Sequence, residues 1–253
     1  MKNLLDKKIL KKVLVVSDNF ELASFFQEEY YRQSLDNVVE VEYSYSHDNN
    51  FLSKMMDLGA KPINVKNPDF IAIAKSRYSL IISIHCKQIF PDQLVEAVKC
   101  VNLHPGFNPH NRGWFPHVFS IINKLPAGAT LHMIDTAIDH GKIIAQKEVE
   151  TRESDTSMDL YNRIIDAEKL LIRENIFMLL TQEYTDFEFP KEGNYNSKSD
   201  FERLCSLDME SVGTLRDHID LLRALSHGDY KNAYFFDISG RKIYVSLNLR
   251  YDN

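Results

Sequence analysis

Two short stretches of this chain carry side chains that could do chemistry together. In Asn102-Leu103-His104-Pro105-Gly106 an amide and an imidazole stand two positions apart, and in Ile138-Asp139-His140-Gly141 a carboxylate stands 35 positions beyond His104. Residues two apart on an extended backbone share a face, so Asn102 and His104 point the same way if the strand continues. An amide N–H and an imidazole suit an oxygen that turns negative during acyl transfer. A histidine near neutrality is also the most economical acceptor for a proton leaving an amine. Asp139 would orient His104 and raise its basicity, which is the logic of a base and its orienting carboxylate without a protein nucleophile.

The same window admits other readings. His104, His110, His117, His132 and His140 are five of the nine histidines and stand with Asp135 and Asp139, so a metal-dependent hydrolase is a rival class. No H-x-x-x-H or H-x-H pair supports it. Asn102 and His104 could simply end a strand, and an isolated Asp before a glycine is often a turn residue. Arg112 could be a surface ion pair, and Trp114 a core anchor. Cys86, Cys100 and Cys205 are odd in number and irregularly spaced, which fits reduced thiols in a cytoplasm better than a disulfide frame.

The elements that must hold these residues are legible as patterns. Lys12–Ser17 and Ser79–Ile84 are apolar runs of the kind that form buried parallel strands. Val38–Tyr43 and Pro62–Val65 read as two more strands, and Val101–His104 as a fifth after a helix over 92–99. Asp18 is the expected cap of a first helix that buries Phe20, Leu22, Ala23, Phe25 and Phe26. Alternating strands and helices imply an open, mostly parallel α/β sheet. Ligands bind such sheets at the C-terminal strand ends, where Asn102 and His104 lie. A polar loop over 105–116 leads to a helix over 115–124. Strands over 129–134 and 143–149 follow, then a long helix over 157–180 capped by Ser154 or Thr156. The stretch 187–200 is irregular, a helix over 212–225 comes next, and 233–238 with 242–249 reads as a hairpin turning at Ser239-Gly240. A lone hairpin is marginal in water, so this one, rich in Tyr, Phe and Ile, should be covered by the main domain or a second subunit. The expected division is a main domain over 1–183 and a C-terminal extension over 184–253.

Composition removes several classes. The chain has 253 residues, a formal charge of −6 and nine glycines, about half the average glycine share. The first strand–helix junction, Val16-Ser17-Asp18-Asn19-Phe20, holds no glycine, which disfavours P-loop and dinucleotide cradles. The acidic charge argues against a nucleic-acid polymer as partner. Charged residues cross the stretch from Met1 to Leu14, so no signal peptide is expected there. No run approaches the roughly 18 apolar residues of a membrane span.

Taken together, Asn102-x-His104-Pro105, Arg112-Gly113 with Pro116, and Ile138-Asp139-x-Gly141 resemble the signature of the folate-dependent formyltransferase family, over about Lys12 to Val149. The run from His104 to Pro116, the Val16–Asn19 opening and Ser83–Gln88 are most similar to the sugar N-formyltransferases of that family. The resemblance implies a Rossmann-like formyltransferase fold with a C-terminal helix and β-hairpin extension that pairs subunits into a homodimer. It also implies transfer of a formyl group from N10-formyltetrahydrofolate to the amine of a dTDP-linked amino-dideoxy sugar for a surface polysaccharide, with no metal. The leading sugar is dTDP-4-amino-4,6-dideoxyglucose, with the 3-amino sugars as alternatives. In this reading Asn102, His104 and Asp139 are catalytic. Folate lies against Cys86, Lys87, Gln88 and Ile89 and near Asp135 and Ile138. Asn108 and Arg112 are substrate contacts, and Trp114, Tyr195, Tyr230 and Tyr234 are candidates to stack on thymine. A formyltetrahydrofolate hydrolase would use the same Asn, His and Asp, but usually carries a further domain.

Overall fold

The computed structural model describes residues 12–49, 52–189 and 191–252. The expectation for the stretch before Lys12 lies outside them. In chain order the elements are β1 (Lys12–Ser17), α1 (Phe20–Arg32), β2 (Val41–Ser46), α2 (Leu52–Asp57), β3 (Lys61–Ile63), α3 (Pro68–Arg77), β4 (Tyr78–Ile84), α4 (Asp92–Ala97) and β5 (Lys99–His104). They continue with β6 (Arg112–Gly113), α5 (Pro116–Asn123), β7 (Ala127–Met133), β8 (Ile143–Val149), α6 (Ser157–Thr181), β9 (Tyr195–Asn196), α7 (Lys198–Cys205), α8 (Leu215–Leu225), β10 (Tyr234–Phe236) and β11 (Lys242–Tyr244).

Seven strands form one sheet in the order β3-β2-β1-β4-β5-β7-β8. The five N-terminal strands run parallel, whereas β7 pairs antiparallel with both β5 and β8. The run-like apolar strands follow from burial on both faces. Val13, Val15, Leu80, Ile82, Ile84, Val101 and Leu103 pack on the side of α1 and α6. Leu14, Val16, Ile81 and Cys100 pack on the other side, against Ala74 of α3 and Leu94 of α4. The alternation is the period-two geometry of a strand expressed on both faces.

The first junction departs from expectation. Asn19, not Asp18, caps α1, its side chain accepting from the Leu22 N–H at 3.1 Å. Asp18 instead reaches across the sheet and accepts from the Ser46 N–H at 2.9 Å, the Asn49 amide at 2.8 Å and the Lys87 N–H at 2.7 Å. A carboxylate one residue before the cap finds three loop donors from other strand ends, a gain that local sequence does not reveal. β2 begins three residues later than expected. Helices α2, α3 and α7 were not anticipated. Thr156 caps α6 in a reciprocal capping box with Asp159.

The C-terminal extension docks through α8 on α5 and through buried polar bonds. The Arg223 guanidinium donates to the Arg152 and Asp155 carbonyls at 2.9 Å, and Ser157 Oγ to the Ser226 carbonyl at 2.9 Å. The hairpin is only partly covered. Ala233 is buried, but Phe236 is 56% exposed, Ile243 40% and Tyr244 47%.

Candidate active site

β5 brings Asn102 and His104 to the C-terminal edge of the sheet, and the β7–β8 connection lays Asp139 over them. The register places Asn102 opposite His132 and His104 opposite Thr130 on β7. Asp139 has a left-handed backbone, φ 49°, a conformation that Asp tolerates better than most residues. Three hydrogen bonds hold it there. Its carboxylate accepts from Asn102 Nδ2 and from the Gly113 N–H, both at 3.2 Å, and its carbonyl accepts from Asn108 Nδ2 at 2.8 Å. Its Oδ2 lies 3.6 Å from His104 Nδ1, and its Oδ1 lies 3.5 Å from His132 Nε2.

His104 is buried, and its Nε2 has no hydrogen-bond partner. With Nδ1 turned to Asp139, Nε2 carries the free lone pair. Burial pulls its pKa down to about 4, against the pull of Asp139. His104 is therefore neutral at pH 7. For Asp139, burial works upward, but the neighbouring His104 and His132 and the Gly113 N–H hold the carboxyl well below its usual range. The space beyond Nε2 is kept by a glycine: a Cβ on Gly106 would lie 2.4 Å from Nε2. That buried nitrogen has no partner and lies against Gly106, where any Cβ would crowd it.

The Asn102 amide is more occupied than sequence implied. Its Nδ2 lies 3.2 Å from Asp139 Oδ1 and 3.3 Å from His132 Nε2. His132 Nδ1 lies 2.7 Å from the Met133 carbonyl, which makes Nδ1 a donor. The Asn102 amide is thus engaged within the protein, and donation to a substrate oxygen requires an N–H to turn from these contacts. His132 had entered only as one of several clustered histidines, and the strand register that faces it to Asn102 is not visible in sequence.

Asp139 also lines an open cleft of about 570 Å³ with Asn108, Arg112, Asp135, His140 and Phe189. Arg112 is buried, donates to Glu192 at 2.9 Å and leaves its Nε without a partner. The irregular stretch after α6 forms one wall of this cleft. Phe187 bridges to Ile143, β9 pairs with β6, and a Cβ on Gly193 would strike the Pro109 carbonyl at 1.7 Å. The Asn194 amide donates to Asn111 Oδ1 at 2.8 Å.

The other candidates sit around this centre. The Cys86 thiol is pushed up to about 12 by burial and is a neutral thiol. Both ends of the Gln88 amide are used, accepting from the Val65 N–H and donating to the Ile63 carbonyl at 3.0 Å each. Lys87 is exposed, and Ile89 and Ile138 present exposed apolar side chains. Trp114 is 43% exposed beside Phe115, and Tyr195 covers Gly113. Tyr230 lies against His227, and Tyr234 lies in the hairpin with Lys242 Nζ 3.7 Å from its ring centre. None of these four aromatic residues lines the cleft. Among the described residues no group of three or more His, Cys, Asp and Glu is placed to hold a metal ion.

Known proteins match this arrangement across both parts of the chain. Residues 13–176 match the family described as formyl transferase, and residues 200–251 match the N-formyltransferase dimerization C-terminal domain. The dTDP-4-amino-4,6-dideoxyglucose formyltransferase of Mycobacterium tuberculosis is 48% identical over 179 residues, 71% of this chain and 76% of that protein. The structure of a sugar N-formyltransferase from a Shewanella species shares 46% identity at a TM-score of 0.93, covering 96% of this chain and 99% of that one. The formyltransferase PseJ from Anoxybacillus kamchatkensis, solved in complex with UDP-4,6-dideoxy-4-formamido-L-AltNAc and tetrahydrofolate, shares 25% identity at a TM-score of 0.59, covering 76% and 88%. With this fold, and with matches that span most of its length, the chain is an enzyme that belongs to the formyl transferase family.

Proposed function

We propose that this enzyme transfers the formyl group of N10-formyltetrahydrofolate to the amine of a dTDP-linked amino-dideoxy sugar, with dTDP-4-amino-4,6-dideoxyglucose as the leading substrate. The observation that carries the reading is the neutral, buried His104, whose Nε2 lies free beyond Asp139 in a chain of this family. A neutral imidazole can take a proton from an attacking amine. The Asp139 carboxylate, ionised and 3.6 Å away, stabilises the imidazolium that results. Asn102 ties that carboxylate to His132 and is positioned to turn one N–H toward the formyl oxygen. The formyl group passes directly from folate nitrogen to sugar nitrogen with no acyl-enzyme, since neither Cys86 nor Cys100 is a thiolate.

Folate is assigned to the loop from Cys86 to Ile89 and to the backbone from Asp135 to Ile138, where Ile89 and Ile138 offer apolar contact. Any Gln88 contact runs through its backbone, because its amide is spent. Asn108 and Arg112 are assigned to the sugar nucleotide. The catalytic unit is residues 1–183. The extension, 184–253, pairs two copies through the apolar hairpin face left open on a single chain. The product would serve a surface polysaccharide made from a cytoplasmic precursor. Among the described residues no helix is long and apolar enough to cross a membrane.

The test is a panel of dTDP-3-amino and dTDP-4-amino dideoxy sugars incubated with N10-formyltetrahydrofolate, following tetrahydrofolate release and product mass. Formylation of the 4-amino-4,6-dideoxyglucose derivative ahead of the 3-amino sugars supports the assignment. Release of tetrahydrofolate in the absence of any sugar, with formate as the product, would replace it with hydrolysis.

A further inference from the structure

A second buried acid–histidine pair stands beside the first and has no part in the mechanism above. Glu168 on α6 is wholly buried, and its two oxygens lie 2.8 and 3.0 Å from His85 Nε2. Burial holds the Glu168 carboxyl above its ordinary range, opposed by His85. His85 is the first residue past β4. Because Ser83 pairs with Asn102 and Ile84 with Leu103, His85 stands level with His104 on the neighbouring strand. Its backbone is left-handed, φ 52°, unusual for a residue with a Cβ and a reason to ask what the ring is turned toward. The turn brings the ring to α6 and leaves its side chain 14% exposed. Its second nitrogen, Nδ1, lies 3.4 Å from Asn19 Nδ2 at the cap of α1. With Nε2–H donated to Glu168, the basic lone pair of His85 is on Nδ1, where it meets the Asn19 amide at 3.4 Å, and a proton taken there displaces that contact. Asn19 also lines a smaller cleft of about 260 Å³ with Tyr161, Asp166 and Glu21, the last paired with Lys169. The other titratable groups around the pair are Tyr161 on α6, His104 on β5 and His117 on α5.

The proton count of the reaction gives this pair a task. A sugar amine at neutral pH is an ammonium ion. Its nitrogen must form a bond to the formyl carbon while the bond from that carbon to folate N10 breaks, the electron pair passing to N10. Two N–H bonds of the ammonium are lost: one proton ends on N10 and one is released. His104, with one free nitrogen, can carry one proton from amine to N10. Resting on the formyl-transfer reading above, we propose that His85 accepts the other proton at Nδ1, converting the bound ammonium to the free amine, and that Glu168 is the positioning residue that fixes the His85 tautomer and stabilises its imidazolium. The proton then leaves to solvent from the exposed edge of the ring.

The test compares wild type, His85→Gln and Glu168→Gln with dTDP-4-amino-4,6-dideoxyglucose and N10-formyltetrahydrofolate between pH 6 and 9. Loss of a general base typically costs about 10²–10⁴ in rate. His85→Gln should lose about 10² or more in kcat/KM at pH 7. Its kcat/KM should then climb tenfold per pH unit, because only sugar arriving as free amine is used. Glu168→Gln should lose less. In ¹⁵N-histidine spectra of the substrate-free protein it should also move the His85 titration to lower pH, since the imidazolium has lost its carboxylate. Added imidazole should restore part of the activity of His85→Ala. A wild type that formylates the sugar beside a His85→Gln variant with unchanged rate, or with an equal loss at every pH, overturns the proposal. So does a His85 titration that Glu168→Gln leaves in place. A wild type that formylates none of the sugars would instead defeat the functional reading itself, and this inference with it.

Discussion

Replacing Gly106 with alanine is a one-methyl perturbation aimed at a single atom. A Cβ at this position would lie 2.4 Å from His104 Nε2, 2.7 Å from His104 Cδ2 and 3.2 Å from Pro116 Cβ. Gly106 does not use the left-handed backbone, so alanine is conformationally admissible there and the effect isolates sterics. To restore an ordinary contact of 3.4 Å the imidazole must retreat by about 1 Å. The ring has little room, because Asp139 faces its Nδ1 edge and His132 lies edge-on at 6.1 Å between ring centres. Overpacking of this kind costs about 1–3 kcal/mol of stability. A displacement of about 1 Å of a catalytic group can cost about 10² in rate. Gly106→Ala should therefore fold, melt somewhat lower, bind folate and sugar nucleotide with little change, and lose about 10² in kcat. Initial rates of tetrahydrofolate release, with equilibrium binding of each substrate measured separately, provide the comparison. A variant with wild-type kcat would show that nothing reacts at His104 Nε2.

Three further predictions come from the same geometry. Asp139→Asn removes the charge that opposes the burial effect on His104 and turns an acceptor into a donor, so kcat should fall by about 10³–10⁴, and the melting point should drop because an amide N–H would face Asn102 Nδ2 or the Gly113 N–H. His117 is buried with no partner at Nδ1, and burial, with His227 and His85 nearby, brings its pKa down to about 3; His104 lies at about 4. Both lie below the value of about 6.5 for an unfolded histidine. The stability these neutral rings contribute is fully present above pH 6.5 and is lost as pH falls toward their folded values, at about 1.4 kcal/mol per pH unit for each histidine. His117→Phe should flatten the acid limb of denaturant-measured stability by one proton, and an unchanged limb would contradict the assignment. Ile243→Glu places a charge on the open hairpin face and, on the proposed pairing of two copies, should convert dimers to monomers in sedimentation velocity. Unaltered sedimentation would move the interface elsewhere.

The parts of this molecule that sequence discloses are those set by short-range pattern. Parallel strands buried on both faces announce themselves as runs such as Leu80–Ile84, and the two-residue spacing of Asn102 and His104 puts both on one strand face. Asp139 was legible through its order and spacing in a family pattern, not through any local property. What escaped was long-range or short. The Ser197-x-x-Asp200 capping box is present in the sequence as a start signal for α7, as are Asn67 and Pro68 for α3, but α3 is apolar on several sides with no clear face and α7 is a two-turn helix at the end of an irregular polar stretch. Asp18 and Asn19 both have capping chemistry, and the choice between them is made by Ser46, Asn49 and Lys87, distant in sequence. In sequence Glu168 is one more charge on a long helix. Only its burial against His85, 83 positions away, marks it out.

The account rests on His104 as the group that moves the amine proton, and His104→Asn tests it most directly. The variant keeps a polar side chain in the pocket but has no basic nitrogen at the Nε2 position. Binding of N10-formyltetrahydrofolate and of dTDP-4-amino-4,6-dideoxyglucose, measured separately by calorimetry, should stay close to wild type while turnover falls by about 10² or more. Normal binding with near-normal turnover would remove His104 from the centre of the reaction and contradict the account.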